Sequence, residues 1–271
     1  MSGIEGYREF LKRRDGTPDI YRDRLSQREI FFEKIEQEVV RSKVVFDRSQ
    51  YLRNIAKSKD EPGLDARLQW ILAVARGNQA ERFGVELGRL YGHGTTEDAP
   101  MEQIHLILQE SYHTRILADV VAVFGLPVPQ LPPPFLIRQF IKLMVFNPLP
   151  EKFNLPLVGM AEMQGCLFFR ALRDRGVELF SDEPEVAERI LLLFNEILAD
   201  ELCHVGLIDA RLGRFGRKVK QKLFALTASA TARHPGDLAA VVGPERVAAM
   251  FGQPFDLEGM LAEFPDTAYA F

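Results

Sequence analysis

The chain has 271 residues, of which 46% are hydrophobic, and this is enough apolar material for one large core. Its formal net charge of -4 argues against the general basic footprint of a nucleic-acid-binding protein. The two cysteines, Cys166 and Cys203, do not suggest a disulfide framework, the polar stretch 1–19 does not resemble a signal peptide, and no apolar run is long enough to span a bilayer. We therefore expect a single cytoplasmic domain over residues 1–271.

Apolar residues recur with the helical period almost throughout the chain, and no convincing run alternates in the manner of a strand. This pattern predicts an all-α fold. Stretches rich in glycine and proline mark the expected helix ends. The predicted helices are Ser26–Lys57, Leu64–Tyr91, Asp98–Phe124, Phe135–Phe146, Pro156–Phe180, Pro184–Leu212 and Phe215–Arg233.

The lengths of the connections predict how these helices are arranged. Short loops join the second helix to the third and the fifth to the sixth, so each pair is expected to form an antiparallel hairpin, with a long proline-rich crossover between the hairpins. This order favours a ferritin-like four-helix bundle over about residues 64–212, with flanking helices at 26–57 and 215–233. The very apolar segment Phe135–Phe146 is interpreted as a crossover helix that covers the bundle, and a membrane-surface or partner helix is the alternative.

The pattern Glu-x-x-His occurs on two strongly apolar helical segments, as Glu110 to His113 and as Glu201 to His204. Residues three apart share a helix face, so both side chains of a pair can point at one metal ion. Each pair lies in the middle of an apolar stripe, where an unpaired carboxylate is costly. A divalent metal would compensate this charge directly.

Each motif has a partner carboxylate on the preceding predicted helix, Glu81 for the first and Glu162 for the second. At 1.5 Å per residue, Glu81 and Glu110 both lie roughly 15 to 18 Å from the loop between their helices. Glu162 and Glu201 both lie roughly 26 Å from theirs. Four carboxylates and two imidazoles at matching heights predict a dinuclear metal site inside the bundle. Glu86 competes with Glu81 for the first position.

The chain has three other histidines outside these two motifs. Glu102 and His105 have the same spacing, but their helix face is more polar, and Glu102 falls in the first turns, where acids favour the helix dipole. We interpret this pair as structural. His93, between two glycines, and His234, before a proline, are expected to face solvent.

The two half-motifs resemble those of the ferritin-like diiron-carboxylate superfamily, and the resemblance covers about residues 64–212. It implies two iron ions, with Glu110 and Glu201 bridging them. An iron–manganese pair or manganese alone would suit the same carboxylate-rich site. The implied ligands are Glu81, Glu110 and His113 for one ion, and Glu162, Glu201 and His204 for the other.

The residue before each bridging glutamate also bears on the resemblance. Asp200 precedes Glu201 and is similar to the family's Asp-Glu-x-x-His form, in which the aspartate accepts a hydrogen bond from a metal-bound imidazole of the opposite half. Gln109 stands at the equivalent place in the first half, so this support is expected to be asymmetric. Leu117 replaces the tyrosine of radical-generating reductase subunits, and Ile197 replaces the extra histidine of arylamine N-oxygenases, which weakens both assignments.

The resemblance implies a dioxygen-activating oxidoreductase, a hydroxylase, monooxygenase or desaturase that acts on a small or lipid-like organic molecule. A separate electron-donor protein is expected, because the chain has neither an iron–sulfur cysteine cluster nor a glycine-rich dinucleotide motif. A ferroxidase or other iron-handling protein and a non-enzymatic dimetal scaffold are the alternatives, and a homodimer is left open. The side chains expected near the substrate pocket are Leu106, Leu117, Cys166, Phe169 and Ile197.

Overall fold

The computed structural model describes residues 3–57, 60–90, 99–145, 151–233 and 236–264. Within these residues the chain is mostly helical, as the sequence predicts, with one small pair of antiparallel strands. In chain order the elements are α1 (Gly3–Arg14), β1 (Pro18–Asp19), β2 (Arg24–Leu25), α2 (Ser26–Gln37), α3 (Arg48–Ile55), α4 (Ala66–Leu90), α5 (Met101–Ala122), α6 (Phe135–Val145), α7 (Glu151–Leu179), α8 (Pro184–Arg211), α9 (Arg214–Arg233), α10 (Gly236–Val242), α11 (Pro244–Phe251) and α12 (Leu257–Glu263).

The four helices α4, α5, α7 and α8 pack against one another. α7 lies along α8 and α4 lies along α5, and the two pairs meet where α5 contacts α8 and α4 contacts α7. Trp70 fills one end of this group, in contact with the rings of Phe124, Phe180 and Phe194. Gly176 makes room for the indole, because a Cβ at this position would overlap the Trp70 ring. The predicted metal ligands lie on the same four helices, further along from this apolar layer.

The prediction of one helix over Ser26–Lys57 is wrong. The structure has two shorter helices, α2 and α3, separated by the non-helical segment 38–47. Contacts with α8 hold this segment: Arg189 donates to the Glu38 carbonyl at 2.6 Å, and Glu183 accepts from the Lys43 amide at 2.6 Å. The segment also carries four valines, which favour a helix less than most residues. Tertiary hydrogen bonds therefore replace the helical ones here.

Several other boundaries differ from the sequence prediction. α7 begins at Glu151, five residues before the predicted start at Pro156, and accommodates the proline near its N-terminus, where the missing N–H forfeits one backbone hydrogen bond. The helices α1, α10, α11 and α12 were not predicted. His93 and His234 lie outside the described residues. The predictions that they face solvent therefore stay predictions.

The crossover segment forms α6, which packs against α4 and α7. Its inner face buries Ile141, whereas Leu136 and Leu143 on its outer face are 79% and 56% exposed. The helix thus covers α4 on one side and presents apolar side chains on the other. Among the described helices, none combines the length and the apolar character needed to cross a bilayer.

Candidate metal centre

The six residues predicted as metal ligands come together in the middle of α4, α5, α7 and α8. Two groups of possible ligand atoms have all their members within 4.8 Å of one another. One group joins Glu81, Glu110 and His113, and the other joins Glu110, Glu162 and His204. Because Glu110 belongs to both groups, the groups are adjacent and share one carboxylate.

The carboxylates surround the Nδ1 atoms of the two histidines. One oxygen of Glu110 lies 3.5 Å from His113 Nδ1 and the other lies 3.2 Å from His204 Nδ1. Glu162 approaches His204 Nδ1 at 3.4 Å, whereas Glu201 crosses to His113 Nδ1 at 3.4 Å. Glu110 and Glu201 therefore each reach the histidine of the other Glu-x-x-His pair, the geometry expected of bridging carboxylates.

The structure places Glu81, and not Glu86, in this cluster. The Glu86 side chain is 62% exposed and lies 3.6 Å from Arg82 on the outer face of α4. Glu81 lies five residues earlier, so it projects from a different face of the helix and approaches Glu110.

The second nitrogen of each histidine is held on the opposite side of the cluster. His113 Nε2 donates to Asp200 Oδ2 at 3.2 Å, and His204 Nε2 donates to Gln109 Oε1 at 2.9 Å. Such contacts fix the orientation of an imidazole and leave its other nitrogen available for a metal. Gln109 and Asp200 occupy equivalent places in the two halves, so the expected asymmetry is one of chemistry, amide against carboxylate, and not of position.

Both Nδ1 atoms are buried, and neither has a hydrogen-bond partner among the described residues. A buried nitrogen without a partner is costly, and here it faces several carboxylate oxygens at 3.2 to 3.5 Å. A divalent cation would give each Nδ1 a bond and would neutralise the carboxylates. Imidazole and carboxylate donors suit iron, manganese and zinc. The residues present therefore fit a two-metal site.

Two of the four carboxyl groups are strongly shifted toward their neutral form. Burial, followed by the nearby charge of Glu110, raises the pKa of Glu81 well above its usual range. Burial, followed by the charges of Glu162 and Glu110, does the same to the pKa of Glu201. The cause is like charge held together away from water.

Glu110 and the two histidines shift in the opposite sense. Burial alone would raise the pKa of Glu110, but His113 and His204 outweigh it and hold this pKa well below its usual range. Burial lowers the pKa of both histidines, but Glu110 and the Asp200 hydrogen bond raise it to about 9 for His113, and Glu110 and Glu162 raise it to about 10 for His204. In the absence of metal, protons balance the charge of this cluster.

Residues from the N-terminal part of the chain form a buried ionic network behind the histidines, that is, on the side of the two imidazoles that faces away from the four glutamates. Arg28 donates to Asp200 Oδ2 at 2.6 Å and to Asp15 Oδ1 at 2.9 Å, and it also pairs with Glu196. Arg14 lies 2.9 Å from Asp200 Oδ1. The two arginines outweigh the effect of burial and hold the pKa of Asp200 below its usual range, so this carboxylate stays ionised opposite His113.

Asp15 extends the same network to the second histidine. Its Oδ2 accepts from Gln109 Nε2 at 2.7 Å, and Gln109 in turn accepts from His204. The same oxygen lies 3.2 Å from His105 Nδ1. Arg28 therefore connects to both histidines of the cluster, through Asp200 on one side and through Asp15 and Gln109 on the other.

The remaining Glu-x-x-His pair has structural contacts, in line with its interpretation from the sequence. Glu102 lies in the first turn of α5 and pairs with Arg8 at 2.9 Å and with Arg211 at 3.4 Å. His105 is fully buried and contacts Asp15. Neither residue joins the two groups of possible ligand atoms.

Sequence reasoning missed Arg14, Asp15 and Arg28. No spacing rule relates Arg28 to Asp200, because 172 residues separate them and the contact is tertiary. A turn at Gly16, whose φ of 78° favours glycine, brings this segment back toward the helices. The one local signal was the acid at position 200 next to a predicted ligand, since a buried carboxylate requires a partner.

A cavity of about 750 Å³ reaches the carboxylates from the side of α4, α6 and α7. All four glutamates of the cluster line it, and its other walls are mainly apolar. Of the five side chains expected near the substrate pocket, only Leu106 lines this cavity. The other four are buried in the core around it: Leu117, Cys166, Phe169 and Ile197.

These four residues belong to the hydrophobic core and do not form the cavity wall. Phe169, for example, contacts the ring of His113 at a centroid distance of 6.4 Å and the ring of Phe194 at the same distance. Phe168, the residue before it, faces the cavity instead. Sequence spacing identified the correct turn of the helix here but the wrong side of it.

No protein-family model matches this chain, and a match is likewise missing among curated proteins and solved structures.

Proposed function

We propose that this protein is a non-haem diiron oxidoreductase with a ferritin-like four-helix bundle, and that it uses dioxygen to oxidise an apolar organic molecule. The observation that carries the proposal is the pair of buried Nδ1 atoms, on His113 and His204, that face the two oxygens of Glu110. Glu81, Glu162 and Glu201 supply further oxygen donors around them. This is the donor set of a dinuclear carboxylate site in a helical bundle.

The residues of the cluster would divide the work of holding the metals. His113 with Glu81 would serve one ion, His204 with Glu162 the other, and Glu110 and Glu201 would lie between them. Two bound iron ions would supply the electrons and open coordination positions with which dioxygen is activated.

Residues behind the histidines would keep this arrangement fixed. Asp200 accepts a hydrogen bond from Nε2–H of His113, and Gln109 accepts one from Nε2–H of His204. Each imidazole would therefore present Nδ1 to its metal in one orientation. Arg14 and Arg28 hold Asp200 ionised and in place. The apolar walls of the cavity would exclude bulk water from the reacting centre and position the substrate beside the carboxylates.

The cavity favours an organic substrate over the ferroxidase alternative. A protein that takes ferrous ions as its substrate needs a polar or acidic entry path, whereas the walls that α6 contributes here include Ile137, Phe140, Ile141 and Met144. Such a surface suits an apolar molecule. The electrons that return the irons to the ferrous state would come from a separate protein, since the two described cysteines are single, buried thiols.

The proposal is tested by loading the metal-free protein anaerobically with ferrous ion and then adding dioxygen. We expect about two irons per chain and a transient visible absorption band when dioxygen is added. Glu110→Ala and Glu201→Ala should lose both. Glu86→Ala is the matched control, since it removes an exposed glutamate from the same helix as Glu81 and should keep both.

Each alternative has its own outcome in this experiment. Iron that binds but stabilises the fold without reacting with dioxygen would identify a non-enzymatic scaffold, in which the site is structural. Uptake of many irons per chain would identify an iron-handling protein. No iron retained by the wild-type chain would refute the two-metal site itself. If manganese is supplied together with the ferrous ion, binding of manganese in one position would identify a mixed pair.

A further inference from the structure

The cavity extends to both sides of the carboxylates along the helices that form it. It is lined on α4 from Ala73 to Gly88 and on α7 from Asn154 to Phe168. Glu81 and Glu162 fall near the middle of these two stretches. At 1.5 Å per residue each stretch is about 21 to 22 Å long, so roughly 10 Å of wall lies on either side of the carboxylates.

Small side chains on one face of α4 create the space. Gly77 and Gly84 bracket Glu81, and an added Cβ at these positions would meet the opposite walls at ordinary contact distances. At Gly77 it would lie 3.5 Å from Phe168, and at Gly84 it would lie 3.8 Å from Ile141. The small residues that line the cavity from α4 are Ala73, Gly77, Ala80, Gly84 and Gly88.

The charges of the lining disfavour an anionic ligand. Apart from the four glutamates of the cluster, the charged residue among the described lining residues is Arg76. Its guanidinium already pairs with Asp60 at 2.6 Å and donates to the Asn54 carbonyl at 3.0 Å. A carboxylate or phosphate in this cavity would therefore bring one more negative charge beside the four glutamates, and the imidazoles of His113 and His204 already pair with these glutamates.

We propose that the cavity binds a neutral, elongated, apolar molecule, such as a straight-chain hydrocarbon or a long-chain alcohol, and that the middle of this molecule passes the four carboxylates. Gly77 and Gly84 set the room on either side and so determine which chain lengths fit. The statement that this molecule is the substrate rests on the proposed function. Its binding does not, because the cavity exists without a metal. As a substrate, the molecule would present an internal carbon to the site and not a chain end.

The first test measures binding of dodecanol and of dodecanoate to the metal-free wild-type chain by calorimetry at pH 8. Dodecanol should bind at least about tenfold more tightly, since the two differ mainly in the buried charge. Equal binding, tighter binding of dodecanoate, or no binding of dodecanol would overturn the proposal. Because no metal is present, these outcomes are independent of the diiron function.

The second test places a leucine on each side of the carboxylates. Gly77→Leu and Gly84→Leu should each weaken dodecanol binding by about tenfold or more, since each displaces several methylene groups from the cavity. Gly213→Leu is the control, because this glycine lies outside the cavity with open space around its added Cβ. It should bind dodecanol as the wild type does.

The pattern over the two variants decides the position of the bound chain. If one variant weakens binding and the other does not, the molecule occupies a single side and the mid-chain position is wrong. Circular dichroism checks that both variants fold, and Gly77→Ala or Gly84→Ala replaces a variant that does not, with a smaller loss in the same direction. A chain that shows this binding but takes up no iron would keep this inference and refute the proposed function.

Discussion

The two histidines separate two regions that are both rich in charge but balance it differently. Behind them, Arg14 and Arg28 form ion pairs with Asp15, Asp200 and Glu196. In front of them, four glutamates meet, and the partners that the described part of the chain offers them are the two imidazoles. Each carboxylate of the first region therefore has an arginine partner, whereas the glutamates of the second region require protons or added cations.

The largest expected effect on stability is in the region behind the histidines, where arginines pair with the carboxylates. Arg28→Ala leaves two buried carboxylates without their shared partner, and the free energy of unfolding should fall by about 3 to 5 kcal/mol. Urea denaturation of the metal-free chain measures it. Arg246→Ala is the control, since it removes an exposed pair with Glu178 and should leave stability nearly unchanged. An effect of Arg28→Ala as small as that of the control would show that the network contributes little.

The next largest effect is at the junction of the two regions. Gln109→Ala removes the group that orients His204 while leaving the contact of His113 with Asp200 intact. Metal affinity should fall by about 10- to 100-fold at the His204 position alone. Anaerobic titration with cobalt, followed by its visible spectrum, resolves one weakened site and one unchanged site. Equal weakening at both would contradict separate support of the two halves.

A pH dependence follows from the charge balance of the front region. With pKa values of about 9 and 10, His113 and His204 are doubly protonated at neutral pH, and metal binding must release the Nδ1 proton of each. Affinity should therefore rise by about tenfold per pH unit for each proton released, between pH 6.5 and 8.5.

The stability of the metal-free chain should change with pH in the opposite direction to the metal affinity. Both pKa values lie above the ordinary value of 6.5, so the histidines stabilise the fold fully below pH 6.5 and lose this contribution as the pH rises through 9 and 10. Thermal unfolding with and without manganese at pH 6.5 and 8.5 tests both statements. A metal-induced rise in Tm that is equal or smaller at pH 8.5 would contradict them.

The smallest expected change in stability is in the front region. Burial, followed by the charges of Glu162 and Glu110, raises the pKa of Glu201 well above its usual range and so favours its neutral form in the metal-free chain. Glu201→Gln, which also places a neutral group of similar shape there, should alter the free energy of unfolding by less than about 1 kcal/mol. The same variant should lose the rise in Tm that metal gives the wild type. Strong destabilisation of the metal-free variant would mean that Glu201 is structural.

The front region could be predicted from the sequence because local rules place its residues. A spacing of three puts Glu110 beside His113, and the rise per residue sets Glu81 level with Glu110. The region behind depends on contacts such as Arg28 with Asp200, which follow from the path of the chain after Gly16 and not from any period. The same limit explains the break between α2 and α3, where α8 supplies the hydrogen bonds.

The lining of the cavity depends partly on spacing along each helix and partly on the tertiary contacts between helices. Spacing identifies the helical turns next to the ligands, but it does not show which neighbouring side chain points inward. Phe169 was expected at the cavity, and Phe168 lines it. The small face of α4 that opens the space around Gly77 and Gly84 has meaning only once α6 and α7 stand opposite it.

The most direct test of the two-metal site is anomalous diffraction from crystals of the protein grown with iron or manganese. If the two-metal site is correct, we expect two peaks, one beside Nδ1 of His113 and one beside Nδ1 of His204, with Glu110 in contact with both. Crystals of Glu110→Gln grown in the same way should lose at least one of the two peaks. Metal bound elsewhere, a single peak in the wild type, or an unchanged pair of peaks in the variant would contradict it.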